Sequence, residues 1–189
     1  MSDLMRRRWR MLRSDAIAVL PAWLTARALV LAAYVCAVAI ADRLTPDGRP
    51  TPLTEGPIAW DGTWYRDIAS HGYGATENES LRFFPLFSLI GRGLSAPFGT
   101  RSDVALVLVA TVASFVLAVL VRRLMLAEGH RLKTADRAVW LMMLFPGAFV
   151  LTWGYAEPIM LVGAVGMFYG LRTKHWWWAA VAGLIASGA

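Results

Sequence analysis

The chain has 189 residues, 57% of them hydrophobic and 17% charged, with a mean hydropathy of +0.49; soluble domains carry about 25% charged residues, so an ordinary soluble domain is excluded and a polytopic membrane protein is expected. The net charge of +6 does not point to nucleic acid, because the basic residues fall in short clusters beside apolar runs, the pattern of membrane orientation. A single cysteine, Cys36, lies within an apolar run and excludes a disulfide framework and a Cys-based metal site.

The first element opens with "MSDLMRRRWRMLR" and then runs apolar from Ala16 to Ala41, with Arg27 as its only charge. A helix over this run is about 39 Å long, enough to cross a ~30 Å hydrocarbon core. "AVAIAD" offers a small-x-small cleavage site, but the apolar run is far longer than the core of a signal sequence, so an uncleaved first span over 16–41 is expected.

Residues 42–103 form a polar segment with eight acids against six arginines. It starts with the turn-rich "DRLTPDGRPTPLTEGP", continues through "IAWDGTWYRDIASHGYG", the densest mix of acids and aromatics in the chain, and reaches "RFFPLFSLIGRGLSAPFG". In the last of these, Phe83, Leu86, Phe87, Ile90 and Leu94 share one helical stripe. The stretch is too short to span, so a helix lying in the interface is expected.

Val104–Val121 is a second span, closed by Arg122 and Arg123, and a basic connector follows to Arg137. Ala138–Leu171 is too long for one crossing, and Pro146 and "WGYAEP" interrupt it; the pattern predicts two helices, 138–153 and 158–171, meeting at a turn over Gly154–Pro158. After the basic "RTKH", "WWWAAVAGLIASGA" begins a span that is incomplete at 176–189. The chain therefore reads as the N-terminal part of a single transmembrane domain, truncated within a helix. Twelve of the nineteen Lys and Arg lie in the N-terminus, the 122–137 connector and 172–174. This pattern predicts a cytoplasmic N-terminus and places the 42–103 loop and the "WGYAEP" turn together on the outer side.

That topology puts Asp61, Asp67 and Glu157 in one compartment. A helix over "WDGTWYRDIA" would stack Trp60, Trp64 and Ile68 on one face and leave Asp61 at its start, where it serves as an N-cap or as a catalytic base. Glu157, just before Pro158, either complements a helix dipole or is an acid kept at membrane depth for function. Asp67 beside Arg66 reads as a solvated ion pair, and His71 as a loop hydrogen-bonder. Arg27 is expected to meet an acid or a lipid phosphate, or to snorkel along its helix. Glycine-rich phosphate loops, metal-binding His pairs and nucleophile elbows are missing. The sequon Asn78-Glu79-Ser80 is a short pattern with little information of its own.

Three stretches, "WDGTWYRDIASHGYG", "FFPLFSLIGR" and "FPGAFVLTWGYAEPIMLVGAVGMFYGLR", occur in this order. Together they resemble the PIG-V family of mannosyltransferases in its bacterial branch, from about Arg27 to the end. The resemblance implies an all-α, GT-C-like transmembrane architecture, with an outer first loop that bears short interfacial helices and a catalytic acid. The family's Trp-Asp motif falls on Trp60 and Asp61, its aromatic-Pro segment on Phe83, Phe84 and Pro85, and its Tyr-x-Glu motif on Tyr155 and Glu157. Members run to about twice this length or more, so helices that would help to hold a lipid donor are expected beyond Ala189.

The activity so implied is transfer of mannose or a related hexose from a polyprenyl-phosphate donor to a lipid or glycan acceptor, among membrane lipids and without nucleic acid. Asp61 and Glu157 are the expected catalytic acids; Trp60, Trp64, Tyr65, Asp67, Arg92 and Tyr155 are the expected substrate contacts. No metal ligands and no fixed cofactor are expected, although room for a divalent cation stays open. The alternative is a non-catalytic transport or scaffold protein, or an inactive fragment; the inverted repeats of transporters are not evident.

Overall fold

A computed structural model of the protein describes the backbone of residues 3–45, 48–98 and 101–189, and side chains from Leu12 onward except Pro97 and Phe98. The side chains of the arginine cluster Arg6–Arg10, and Asp47 in the turn-rich loop, lie outside the described residues. The described residues are all-α, in the order α1 (Asp3–Leu44), α2 (Thr51–Glu55), α3 (Asp61–His71), α4 (Pro85–Phe98), α5 (Ser102–Ala127), α6 (Leu132–Leu144), α7 (Glu157–Arg172) and α8 (Trp176–Gly188). Short 3-10 turns lie at Gly56–Ile58, Tyr73–Ala75, Asn78–Arg82 and Pro146–Leu151.

Among the described residues two helices are long and apolar enough to cross a membrane: α1 over Leu12–Leu44, 33 residues at mean hydropathy 2.1, and α5, 26 residues at 3.0. Along α1, Leu24, Leu29, Leu31, Val35 and Ile40 are exposed on several sides of the helix, an aliphatic surface that suits hydrocarbon rather than water. α5 is the hub and packs against α1, α3, α4, α6 and α7. It joins two cores. One, around α3 and α4, gathers Ile58, Tyr65, Ile68, Phe83, Phe87 and Leu106. The other, between α1, α5 and α6, gathers Val19, Ala22, Leu117, Val139, Met143 and Leu151. Between helices that face hydrocarbon, such side chains contribute through close packing rather than through removal from water.

The stripe expected on α4 is buried at Phe83 and Phe87 and half-buried at Leu86 and Ile90, but Leu94 is exposed. α4 thus packs against α3, α5 and α8. α7 and α8 pack against each other with their backbones close together. A Cβ on Gly163 would press on the backbone of Ala182 and Ala186, and one on Gly170 on that of Ala179; small residues let the backbones touch.

Three local expectations are corrected by these elements. The helix expected over 138–153 instead begins at Leu132 and stops at Leu144. Pro146 disfavours helical backbone at the residue before it, and Phe145 is extended at φ −59 and ψ 137. The chain then makes the 3-10 turn Pro146–Leu151 before α7 starts at Glu157.

Among the described residues Arg27 meets no acid, and it does not snorkel. Its guanidinium turns into the bundle, lies over the Trp23 ring at 3.8 Å, and donates to the carbonyls of Trp23 at 3.0 Å and Leu151 at 3.2 Å and to the Ser114 hydroxyl. Its Nε is buried without a partner among the described residues.

Finally, Arg122 and Arg123 do more than close a span. Arg122, only 6% exposed, donates to Asp15 and, through Nε, to Asp136 at 2.8 Å; Arg123 Nε donates to Asp15 at 2.7 Å. The network ties α1, α5 and α6 together.

Candidate functional site

The site is built where the chain enters α3. Trp60 occupies the cap position of that helix at φ 55 and ψ −121, a left-handed conformation costly for a residue with a side chain. This backbone turn corrects the expected face: Trp60 does not line up with Trp64 and Ile68. Its ring instead stacks on Trp153, with centroids 5.3 Å apart at 14°, and meets the edge of Phe149 at 6.4 Å. Trp64 stacks on Phe83 at 6.0 Å, and Ile68 is buried in the core.

Asp61 is the first residue within α3, not its cap, and no side chain makes a capping hydrogen bond there. Backbone bonds close the first turn in its place, Gly62 N–H to Ala59 at 3.3 Å and Thr63 N–H to Trp60 at 3.1 Å. The Asp61 residue is left exposed at a helix N-terminus, where negative charge is favoured.

The "WGYAEP" turn locks onto this segment. Gly154 N–H donates to the Pro57 carbonyl at 2.9 Å, and the Tyr155 hydroxyl donates to the Ala59 carbonyl at 3.0 Å. A Cβ on Gly62 would lie 3.3 Å from the Gly154 carbonyl oxygen, and one on Gly154 would collide with Ile58 Cδ1. Glycine at both positions lets the two segments of this clasp approach closely without displacing Ile58. One turn further on, Glu157 opens α7 and is half-buried.

The electrostatics follow from the clasp. Burial raises the Glu157 carboxyl above its usual range; a hydrogen bond from its own backbone opposes this, and the charge of Asp61 adds to it. Burial, then Asp61 and Glu157, push the Tyr155 hydroxyl up to about 12. Tyr65 is raised as well, by burial first and then by Glu157 and Asp61. Both carboxylates therefore act on both tyrosines. Two acids held in unlike surroundings, one exposed and one half-buried, suit unlike roles in proton transfer.

The remaining expected contacts are distributed differently. The Tyr65 ring sits in the core, edge-on to Phe83 and Phe87 at 5.1 Å each. Asp67 pairs with Arg66 Nε at 3.0 Å, as expected, but Arg66 also reaches Glu55 at 2.8 Å. Asp67 lies six residues after Asp61, about 9 Å along the axis. Arg92 lies beside Gly72 at the other end of α3, its Nη1 3.9 Å from a Cβ placed there. The structure thus gathers Trp60, Asp61, Tyr155 and Glu157, with Tyr65 beneath them, and holds Asp67 and Arg92 apart.

His71, the last residue of α3, is exposed and makes no side-chain hydrogen bond among the described residues, which corrects its expected role. Phe83 is buried, whereas Phe84 and Pro85 are exposed. No group of three or more His, Cys, Asp or Glu among the described residues is arranged to hold a metal ion.

Trp153 was not among the expected contacts, though its signal is in the sequence: Trp153-Gly154 in the turn answers Trp60-Asp61-Gly62 in the loop. Beside the paired indoles an apolar groove of about 450 Å³ runs along α1, walled by Val30, Ala33, Tyr34, Leu53, Phe145 and Phe149. Trp60 is 54% exposed, so part of its ring stays accessible. Comparison of the chain with protein-family profiles, with curated proteins and with solved structures finds no match.

Proposed function

We propose that the protein is a multi-pass membrane glycosyltransferase of the PIG-V-like, GT-C type, moving mannose or a related hexose from a polyprenyl phosphate to an acceptor hydroxyl on the outer face. The observation that carries this reading is the clasp between residues 57–62 and 153–157, which brings the Trp-Asp and Tyr-x-Glu motifs together from stretches about a hundred residues apart.

In this reading Asp61, exposed at the start of α3, takes the proton of the acceptor hydroxyl as its oxygen attacks the anomeric carbon. The bond from that carbon to the phosphate oxygen breaks, and the polyprenyl phosphate leaves with the bonding pair. Phosphate is a good leaving group, so the acceptor's proton is the main demand on the protein. Glu157 lines the same space and orients the substrate. Trp60 and Trp153 offer an aromatic face on which a sugar ring stacks, and the apolar groove beside them suits a prenyl chain.

The test is sugar transfer from polyprenyl-phosphate mannose in membranes that contain the protein. Asp61 makes no capping bond, so Asp61→Asn is expected to fold normally. Loss of a positioned base lowers transfer by about 10²–10⁴-fold. Glu157→Gln is expected to lose less. Near wild-type transfer by Asp61→Asn would remove Asp61 from the chemistry and sink the assignment.

A further inference from the structure

The end of the bundle away from Asp61 and Glu157 carries a second cavity system. There α1 meets the C-terminal half of α5 through Asp15 and Arg122, and Arg172 at the end of α7 donates to the Ala127 carbonyl at 3.3 Å. Two cavities adjoin at this end, and Leu12 and Arg123 line both. One, about 720 Å³, is an apolar groove between α1 and α5, walled by Ala16, Phe115, Val116 and Leu120. The other, about 1090 Å³, is mixed: Asp15, Arg122, Thr173 and His175 line it beside Leu126 and Trp178.

Arg123 stands at the junction. Its Nε donates to Asp15, while its two terminal nitrogens make no hydrogen bond among the described residues. Arg122 beside it is almost fully enclosed and committed to Asp15 and Asp136. His175 Nδ1 is 3.0 Å from the Thr173 hydroxyl, which leaves its Nε2 toward other partners. The same end carries Arg13, Arg131, Arg137 and Lys174, so its field favours an anion.

We infer that these joined cavities bind one anionic phospholipid, its phosphate at Arg123 and an acyl chain in the groove between α1 and α5. A soluble phosphate would leave the apolar groove unfilled. A zwitterionic lipid would bring its own ammonium group to a site that already holds a guanidinium, and Asp15, the acid lining the cavity, is already taken up by Arg122 and Arg123. An amphiphile with one negative head satisfies both cavities at once, since guanidinium forks match phosphate oxygens. The inference rests on α1 and α5 lying in a bilayer, and it is independent of sugar transfer.

The test is lipid titration of the detergent-solubilised protein by native mass spectrometry, using phosphatidylglycerol, phosphatidylcholine and, separately, inorganic phosphate. A single phosphatidylglycerol is expected to stay bound, about tenfold or more tighter than phosphatidylcholine, whose phosphate is the same but whose choline cation is repelled by the guanidinium. Arg123→Gln should weaken phosphatidylglycerol about 10–100-fold. Arg137→Gln removes the same charge from an exposed site outside both cavities and should cost at most about fivefold, the generic attraction of a basic surface.

Val116→Trp fills the groove without touching an ion pair. It should weaken the lipid and leave any response to inorganic phosphate unchanged, so it keeps the test decisive if Arg123→Gln does not fold. Equal losses in the two arginine variants would show diffuse surface attraction and overturn the site. Equal affinity for the two lipids, a phosphate response as strong as the lipid's, or full binding in Val116→Trp would each overturn it too.

Discussion

Gly154→Ala tests whether the clasp is as close as the structure makes it. The new Cβ would collide with Ile58 Cδ1, a side chain only 4% exposed in the core, while the Gly154 N–H bond to Pro57 holds the backbone in register. Overpacking of this sort costs about 1–3 kcal/mol. Ile58→Val removes the clashing methyl and alone costs about 0.5–1.5 kcal/mol for the lost packing. In the double variant the alanine occupies the space that the methyl has left. The two changes should therefore be strongly non-additive, with a coupling of about 1 kcal/mol or more in favour of the double variant. Equilibrium unfolding of the detergent-solubilised protein by SDS titration, followed by tryptophan fluorescence, measures all four corners of the cycle. Additivity within about 0.5 kcal/mol would mean that Gly154 and Ile58 do not touch. The arrangement of Asp61 and Glu157 derived from that contact would then fail as well.

Asp15→Asn leaves Arg122 buried with Asp136 as its one remaining carboxylate; breaking a buried pair in this way costs about 3–5 kcal/mol, read in the same titration. Asp42→Asn, which breaks the exposed pair with Arg49, serves as control and should leave unfolding unchanged. Glu157 sets a pH dependence. Its carboxyl is raised in the folded protein, so the folded state holds the proton more tightly than the unfolded chain does. Stability should fall as pH rises from the ordinary carboxylate range through the raised value. Glu157→Gln should flatten that slope and be the more stable protein at neutral pH; an unchanged slope would locate the titration elsewhere.

What the sequence made legible depends on how local the physics is. α5 is read directly, because an apolar run with no interior charge has few alternatives. The N-terminal reach of α1 is not, since arginine is a good helix former: charges before Ala16 mark where apolar sequence begins, and the helix itself extends back to Asp3. α6 was placed too late because Lys133, Asp136 and Arg137 look like a solvated connector, although Ala135 and Val139 already face the core. The partners of Arg27 are illegible for a different reason. Its partners Ser114 and Leu151 lie 87 and 124 residues away, so no window around it contains them. The Asp15–Arg122 contact, across 107 residues, was hidden in the same way.

The candidate site divides along the same line. The spacing of basic connectors leads one to expect the loop of Asp61 and the turn of Glu157 in one compartment; what the structure adds is that the two acids are near enough for one to act on the other. The conformation of Trp60 could not be read, because a single left-handed residue is decided by what holds it. Its backbone costs about 1–3 kcal/mol. Against this stand the indole stack on Trp153, worth about 0.5–1.5 kcal/mol, and the bonds from Tyr155 to Ala59 and from Gly154 to Pro57, each of about the same size. The gain and the cost are comparable, so the clasp holds Trp60 in place with little stability to spare. Such a residue persists only where its surroundings over-determine it, and here the indole stack and both clasp bonds come from residues 153–155, with the edge of Phe149 beside them. The turn that carries Glu157 is thus the element that fixes the backbone on which Asp61 is presented, and neither acid's position is independent of the other's.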